Sequence, residues 1–341
     1  MIIISFYIIL IFSLNFFIKK YELILSNTGL NHQSFANNSI PLTGGIFYLL
    51  PTLFLFLPNY SLFGCVFVLL FILGFLSDLN ILVSPKKRFF IQFLLIIFFT
   101  TVYKFEVTPT KIVFFDNVIQ NNYWGYIFTA FCLMILINGS NFIDGLNGLL
   151  IGYILLIILF LVNLDLFSLL NSFENKYGHF ILIFLFILIL NFSNQLFLGD
   201  SGAYSLSFFI GFTLIEIYNL NQNISPYFII LLLWYPCFEN LFSILRKMFL
   251  KKNNPLKPDT EHLHQKLFIF CKKKFKLTDL KSNIFSSLIL LSFNAFIFYL
   301  ASKEISHTIY QLSLIGISVI TYLIVYIVLH KIIRMSNFIK S

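Results

Sequence analysis

Charge is what this chain of 341 residues has least of. Asp, Glu, Lys and Arg together make up 11% of it, against 59% hydrophobic side chains. No soluble domain of this length can hide so much apolar surface, so the chain reads as an all-α, polytopic membrane protein. Cysteine is scarce too. Cys65, Cys132, Cys237 and Cys271 form no CxxC pair, and three lie in apolar runs, which argues against a disulfide framework or a zinc site. The first apolar run, Ile2 to Ile18, lacks a basic leader and a small-residue cleavage site, so it reads as a retained helix and not a signal peptide. The abundance of Phe, Ile, Asn and Lys fits a compositional bias and is not read as a binding signal.

A bilayer core of about 30 Å needs roughly 20 apolar residues per helix. Apolar runs between polar, Gly or Pro punctuation give eleven candidate spans: 2–18, 42–57, 61–77, 89–103, 124–137, 145–163, 179–197, 203–218, 226–245, 283–301 and 308–330. The second is short and contains Pro51. Alternating the loops puts nineteen basic residues on one side: Lys19 and Lys20, Lys86 to Arg88, eleven from Arg246 to Lys281, then Lys331, Arg334 and Lys340. The other side holds Lys104, Lys111, Lys176 and Lys303. This bias predicts an N-terminus outside, a C-terminus in the cytoplasm and a single domain over 1–341. The net charge of +9 is then a topology signal and a basic cytoplasmic face, with no nucleic acid implied.

The polar clusters share one side of that map. His32 to Gly45, Ser77-Asp78, Asn138 to Asn147, Gly199-Asp200 and Asp259 to His264 fall on cytoplasmic loops or helix ends, whereas Glu106, Asp116, Asp165 and Glu174 show no grouping. Polar groups placed among membrane spans are costly unless paired, wet or functional. One cytoplasmic active site is therefore expected, built from loops 19–41, 78–88, 138–145, 198–202 and 246–282. Carboxylates and amides beside a basic rim suit a divalent metal and an anionic, phosphate-bearing substrate, part of which can stay in the lipid.

Five ordered motifs between residues 32 and 267 carry a resemblance. Gly74-Phe-Leu-Ser-Asp78 with Ser84-Pro-Lys-Lys-Arg88-Phe-Phe-Ile-Gln92 resembles the "GxxDD…SPxxRxxxQ" segment of the polyprenyl-phosphate N-acetylhexosamine-1-phosphate transferases, glycosyltransferase family 4. Asn138-Gly-Ser-Asn141-Phe-Ile-Asp144-Gly-Leu-Asn147-Gly-Leu149 is similar to their "NxxNxxDGxDGL", and Asn191 to Ala203 to their "FNxxPAxxFxGDxGS". Pro236 to Glu239, Arg246 and Pro258-Asp259-Thr-Glu-His262-Leu-His264 look like "PxxD…R…PDxxHxHH", and Pro41-Leu-Thr-Gly44-Gly45 like "PxxGG". The His-Leu-His form looks more like the UDP-GlcNAc:undecaprenyl-phosphate GlcNAc-1-phosphate transferase branch than the phospho-MurNAc-pentapeptide one.

The resemblance implies a bacterial inner-membrane enzyme that transfers N-acetylhexosamine 1-phosphate from a UDP-sugar to polyprenyl (undecaprenyl) phosphate. It would release UMP and start an envelope glycan such as lipopolysaccharide O-antigen. Mg²⁺ is the implied cofactor, with Mn²⁺ as its substitute, and a homodimer is left open. Asp78, Asp144 and Asp200 are the catalytic candidates, Asp200 and Asp144 the metal ligands. Asn138, Asn141, Asn147, Arg88, Arg246, His262 and His264 are the substrate-binding candidates.

Each assignment has a plainer rival. Asp200 can simply cap the span beginning near Ala203. Asn141, Asp144 and Asn147, spaced i, i+3, i+6, face one partner if helical, or only satisfy free amides at a helix start. Asp78 is a base toward the lipid phosphate, a metal aid, a surface ion pair or a cap. Arg88 and Arg246 clamp phosphate or anchor helix ends in the headgroup layer. His262 and His264 share a side only if the loop is extended, with Lys252, Lys257 and Lys266 near, and a His pair alone is weak ground for zinc. Glu239 stands where the family has Asp, within a span, with packing against a polar neighbour as its rival role. The Lys272–Lys274 run reads as a lipid-facing or solvated patch. Two departures stand out: Ser77 replaces the first Asp of the family's Asp-Asp pair, and Asn147 the last Asp of "DGxDG".

Readings from other classes fit less well. A flippase for lipid-linked sugars needs polar residues through the membrane depth. A Gly-Asp intramembrane protease needs a Gly where Phe197 stands and a Tyr-Asp partner absent from the chain. A CDP-alcohol phosphotransferase needs an Asp-rich run not found near Asp144. A catalytically weak relative of the same fold rests on Ser77.

Overall fold

The computed structural model describes residues 2–25, 40–56, 60–107, 109–119, 123–170, 177–250 and 261–338. These are helical almost throughout, and among them the one β-type pairing is an isolated bridge between Leu25 and Pro41. His32, Lys252, Lys257, Pro258 and Asp259, with Glu174 and Lys176 on the opposite side, lie outside the described residues.

The helices are α1 (Ile2–Lys20), α2 (Gly44–Phe56), α3 (Ser61–Asp78), α4 (Pro85–Val102), α5 (Val113–Ile119), α6 (Trp124–Ile143) and α7 (Leu149–Asn163). After them come α8 (Tyr177–Phe192), α9 (Gly199–Leu220), α10 (Pro226–Leu232), α11 (Trp234–Leu245), α12 (Leu263–Phe275), α13 (Asp279–Ala301) and α14 (Thr308–Phe338). Each of the eleven predicted segments coincides with a helix or, at 226–245, with a broken pair. Among the described residues five helices are long and apolar enough to cross a membrane: α3, α6, α9, α13 and α14 as Thr308–Met335. The bent pair beginning with α10 gives a sixth if its two halves are taken as one span.

The break has a local cause. Pro236 has no N–H to give to the Leu232 carbonyl, so the helical ladder stops there and the chain bends by 74°. The Tyr153 hydroxyl takes over the freed Leu232 carbonyl at 2.9 Å. Pro236 then sits in the first turn of α11, where a missing donor costs little.

At the centre of the bundle is α9, whose residues are buried almost without exception. Apolar side chains gain little from leaving lipid for protein, so close backbone approach has to supply the packing, and small residues allow it. A Cβ at Gly74 would lie 2.4 Å from Ser201 Cα, so α3 crosses α9 backbone to backbone. On α2's side, Gly44 N donates to Phe197 O at 2.9 Å and Phe197 N to Pro41 O at 2.8 Å, tying 41–45 to the loop before α9. These contacts gather the end of α3, the starts of α4 and α9 and the loop before α2 at one end of the bundle.

Candidate active site

Gly199 has φ +74, a conformation that side-chain-bearing residues rarely adopt, and it turns the chain sharply into α9. That turn presents the first amides of α9 to Asp78, the last residue of α3. Asp78 Oδ1 accepts from Asp200 N at 2.8 Å and Oδ2 from Ser201 N at 3.0 Å. Asp78 therefore caps α9 from another helix, satisfying free amides and placing negative charge at the positive helix end. Of the four readings weighed for Asp78, the cap is the one these contacts describe.

Asp200 stands in the first turn of α9. Its Oδ2 accepts from Ser77 Oγ at 2.6 Å, from Arg88 Nη1 and from Tyr204 OH at 3.4 Å. Arg88 also donates to Ser77 Oγ. It reaches both because Ser84 is extended and Pro85 opens α4, setting Arg88 one turn in. Arg88 is thus engaged with Asp200. The hydroxyl of Ser77, where the family carries a carboxylate, acts here as a donor to Asp200.

Asp144 differs from both. It follows the last residue of α6 directly, is half-buried, and among the described residues its carboxylate has no hydrogen-bond or ion-pair partner. Burial first, then the charges of Asp200 and Asp78, push this carboxyl well above the ordinary carboxylate range. A carboxylate left without a counter-charge beside two others fits a divalent cation. Among the described residues no three of His, Cys, Asp and Glu converge as a ready-made metal site. The donor set of Asp144 and Asp200 suits Mg²⁺, which takes few protein carboxylates when phosphates complete its shell, and does not suit zinc.

The i, i+3, i+6 stripe does not survive. The helix stops at Ile143 and the chain turns through 144–148 before α7, so Asn147 leaves the face of Asn141 and Asp144. Asn147 is buried and bound on several sides by Asn283, Ser287 and Asn194. It is a structural amide and not an open substrate contact. Asn138 Nδ2 donates to Met134 O at 2.9 Å and reaches Gln92 Oε1 at 3.4 Å, while Asn141 is half-buried on the last turn of α6.

His262 is extended (ψ 151) and α12 starts at the next residue, so the rings of His262 and His264 share a side, 5.4 Å apart and nearly parallel. The structure brings them to the Asp144 turn: a Cβ at Gly145 would lie 3.0 Å from His264 Nε2, and the Phe142 and His262 rings are 5.0 Å apart. Glu239 Oε1 is 2.9 Å from His262 Nδ1, and its Oε2 accepts from Tyr322 OH at 2.9 Å. This buried carboxylate orients His262. Arg246, also buried, donates to Glu261 O and to Tyr326 OH at 2.9 Å, so it holds the chain entering His262. Lys266 meets His330 Nδ1 at 3.0 Å. Lys272 pairs with Asp279, and the run 272–274 is exposed.

The sequence reasoning missed Tyr204, Tyr322, Asn283 and Ser287. The last two had a signal: polar residues four apart inside an apolar span.

With carboxylates, arginine and histidines gathered at one end, comparison with known proteins becomes informative. Residues 60–218 match the model of one family. It is glycosyl transferase family 4. An undecaprenyl-phosphate alpha-N-acetylglucosaminyl 1-phosphate transferase of Thermotoga maritima is 28% identical over 228 residues, 66% of this chain and 67% of the relative. A phospho-N-acetylmuramoyl-pentapeptide-transferase of Dictyoglomus thermophilum is 28% identical over 190 residues, 52% of this chain and 59% of the relative. The resemblance carried by the motifs is to this glycosyl transferase family, and both of the branches weighed there supply a relative.

Proposed function

We propose that the protein transfers an N-acetylhexosamine 1-phosphate from a UDP-sugar to undecaprenyl phosphate in the bacterial inner membrane, starting a lipid-linked glycan. The Asp144 carboxylate, unpaired among the described residues and beside Asp200 and Asp78, is the observation that carries the reading. An uncompensated carboxylate among membrane helices is costly unless a proton or a cation neutralises it, and phosphate-bearing reactants bring the cation. The activities for which the two relatives are named support the sugar-phosphate chemistry, and the His262-Leu-His264 form favours the N-acetylglucosaminyl branch.

An oxygen of the lipid phosphate attacks the β-phosphorus of the donor. The bond between that phosphorus and the oxygen leading to UMP breaks, and UMP leaves with the electron pair. Asp200 and Asp144 would hold Mg²⁺, or Mn²⁺ in its place, which when bound offsets the repulsion between two anionic reactants. Arg88 fixes the Asp200 side chain, and Asp78 fixes the amides that start α9. Asn138 and Asn141, on the last turns of α6 beside Asp144, are the amide contacts for the donor. His264, buried against the Asp144 turn, is the contact we assign to the donor's diphosphate, with His262 beside it and held by Glu239. The eleven-span arrangement, with the N-terminus outside and this face in the cytoplasm, rests on the nineteen-to-four distribution of basic residues.

The test is UMP release by the purified protein given undecaprenyl phosphate, Mg²⁺ and a panel of UDP-N-acetylhexosamines. Release with one donor, abolished by omitting lipid or by a chelator, is expected. Tight donor binding without UMP from any member of the panel would favour a sugar-nucleotide binder of the same fold.

A further inference from the structure

The turn that carries Asp144 is fastened at its far end by side chains from three other places. On α13, Asn283 Oδ1 accepts from Asn147 N at 2.7 Å while its Nδ2 donates to Asn147 Oδ1 at 3.3 Å. One helical turn further, Ser287 Oγ donates to Asn147 O at 2.8 Å. These two side chains satisfy the amide, the carbonyl and the side chain of a single residue. Asn147 Nδ2 in turn donates to Asn194 Oδ1, and Gly148 N donates to Asn191 Oδ1. Asn191 passes the connection on, its Nδ2 donating to Leu196 O at 2.9 Å, three residues before Gly199. All but Asn194 are buried. Buried polar groups with their partners supplied hold one geometry, because any other leaves a donor or acceptor unpaired.

The segment bearing Asp144 and the loop delivering Asp200 are therefore joined through one amide network. Its anchor, α13, lies outside the segment 60–218 that matches the family. Asn147 stands where the resembled motif has an acid, and as an amide it both donates and accepts within the network, which a carboxylate cannot do. We infer that Asn283 and Ser287 are positioning residues that set Asp144 against Asp200 as a cation-holding pair, acting through Asn147. This rests on the proposed role of the two aspartates in holding Mg²⁺.

The test is Mn²⁺ binding to the full-length purified protein, followed by electron paramagnetic resonance of the free ion, so that no turnover is needed. Wild type is compared with Asp144→Asn, Asn283→Ala, Ser287→Ala and Asn294→Ala, each checked for wild-type helicity and elution. Asn294 is the control: a buried amide on the same helix that accepts from Trp234 Nε1 at 2.8 Å. Asn283→Ala is expected to weaken Mn²⁺ binding by about 10- to 100-fold. Ser287→Ala, which removes one bond, should weaken it less, and Asn294→Ala should match wild type. If Asp144→Asn weakens binding while both Asn283→Ala and Ser287→Ala bind as wild type, the positioning role is overturned and the metal role stands. If Asp144→Asn also binds as wild type, both are overturned. Equal weakening by Asn294→Ala would reduce the effect to general loosening of α13 and likewise overturn the inference.

Discussion

At the scale of single residues, three nearby aspartates have been given different tasks by their partners. Asp78 spends both oxygens on the amides of α9, Asp200 is held by Ser77 and Arg88, and Asp144 is left with no hydrogen-bond or ion-pair partner among the described residues. Ser77 is a hydroxyl and both oxygens of Asp78 accept amides of α9, which favours an acceptor phosphate that arrives already ionised. The rate at low lipid concentration should then rise through a pH of about 6, the second ionisation of a phosphate monoester, and level off. A rise continuing well above that range would point instead to a protein base. Asp144 supplies a second expectation. Its raised pKa means that the folded, cation-free protein holds a proton the unfolded chain has released, so this group lowers stability progressively as pH climbs from the ordinary carboxylate range toward the raised value. A chelated sample of Asp144→Asn should accordingly melt at or above wild type at pH 8, while Mg²⁺ should raise the Tm of wild type alone. A lower Tm for the chelated variant, or an equal Mg²⁺ response, would contradict the assignment.

At the scale of elements, apolar run length located the longer apolar helices, because it depends only on what each segment buries, whereas α5 and α12 lie in stretches read as loops. The breaks escaped that reading. Pro236 was visible, but a proline in an apolar run can kink a helix or start one. What satisfies the carbonyl that the bend frees is the Tyr153 hydroxyl on α7, a partner distant in sequence, at Leu232. Tyr153→Phe should leave that buried carbonyl unpaired and cost about 1–3 kcal/mol, read as a lower Tm in detergent. An unchanged Tm would mean that the break needs no replacement donor. The Asp144–Asn147 turn escaped for a related reason: helical spacing was assumed through residue 147, and the amides that end it come from α8 and α13. Placement was legible where one segment fixes its own geometry, as with Asp200 in the first turn of α9 and the two His rings side by side. It was not legible where a residue's partner decides its role, as with Asp78, Arg88, Arg246 and Asn147.

At the scale of the molecule, tight crossings around α9 and the cap that α3 gives it bring residues from six helices or their flanking loops to one end of a bundle whose outer surface is apolar. Such a face can meet a water-soluble nucleotide sugar and a lipid phosphate together. The decisive question is which bond of the donor breaks. A UDP-N-acetylhexosamine carrying a radiolabelled β-phosphate, incubated with protein, undecaprenyl phosphate and Mg²⁺, answers it by partition between water and organic solvent. The β-phosphate label should enter the lipid phase with wild type and remain aqueous with Asp200→Asn. Label remaining aqueous while the sugar itself becomes lipid-linked, or equal transfer by the Asp200→Asn variant, would contradict the account.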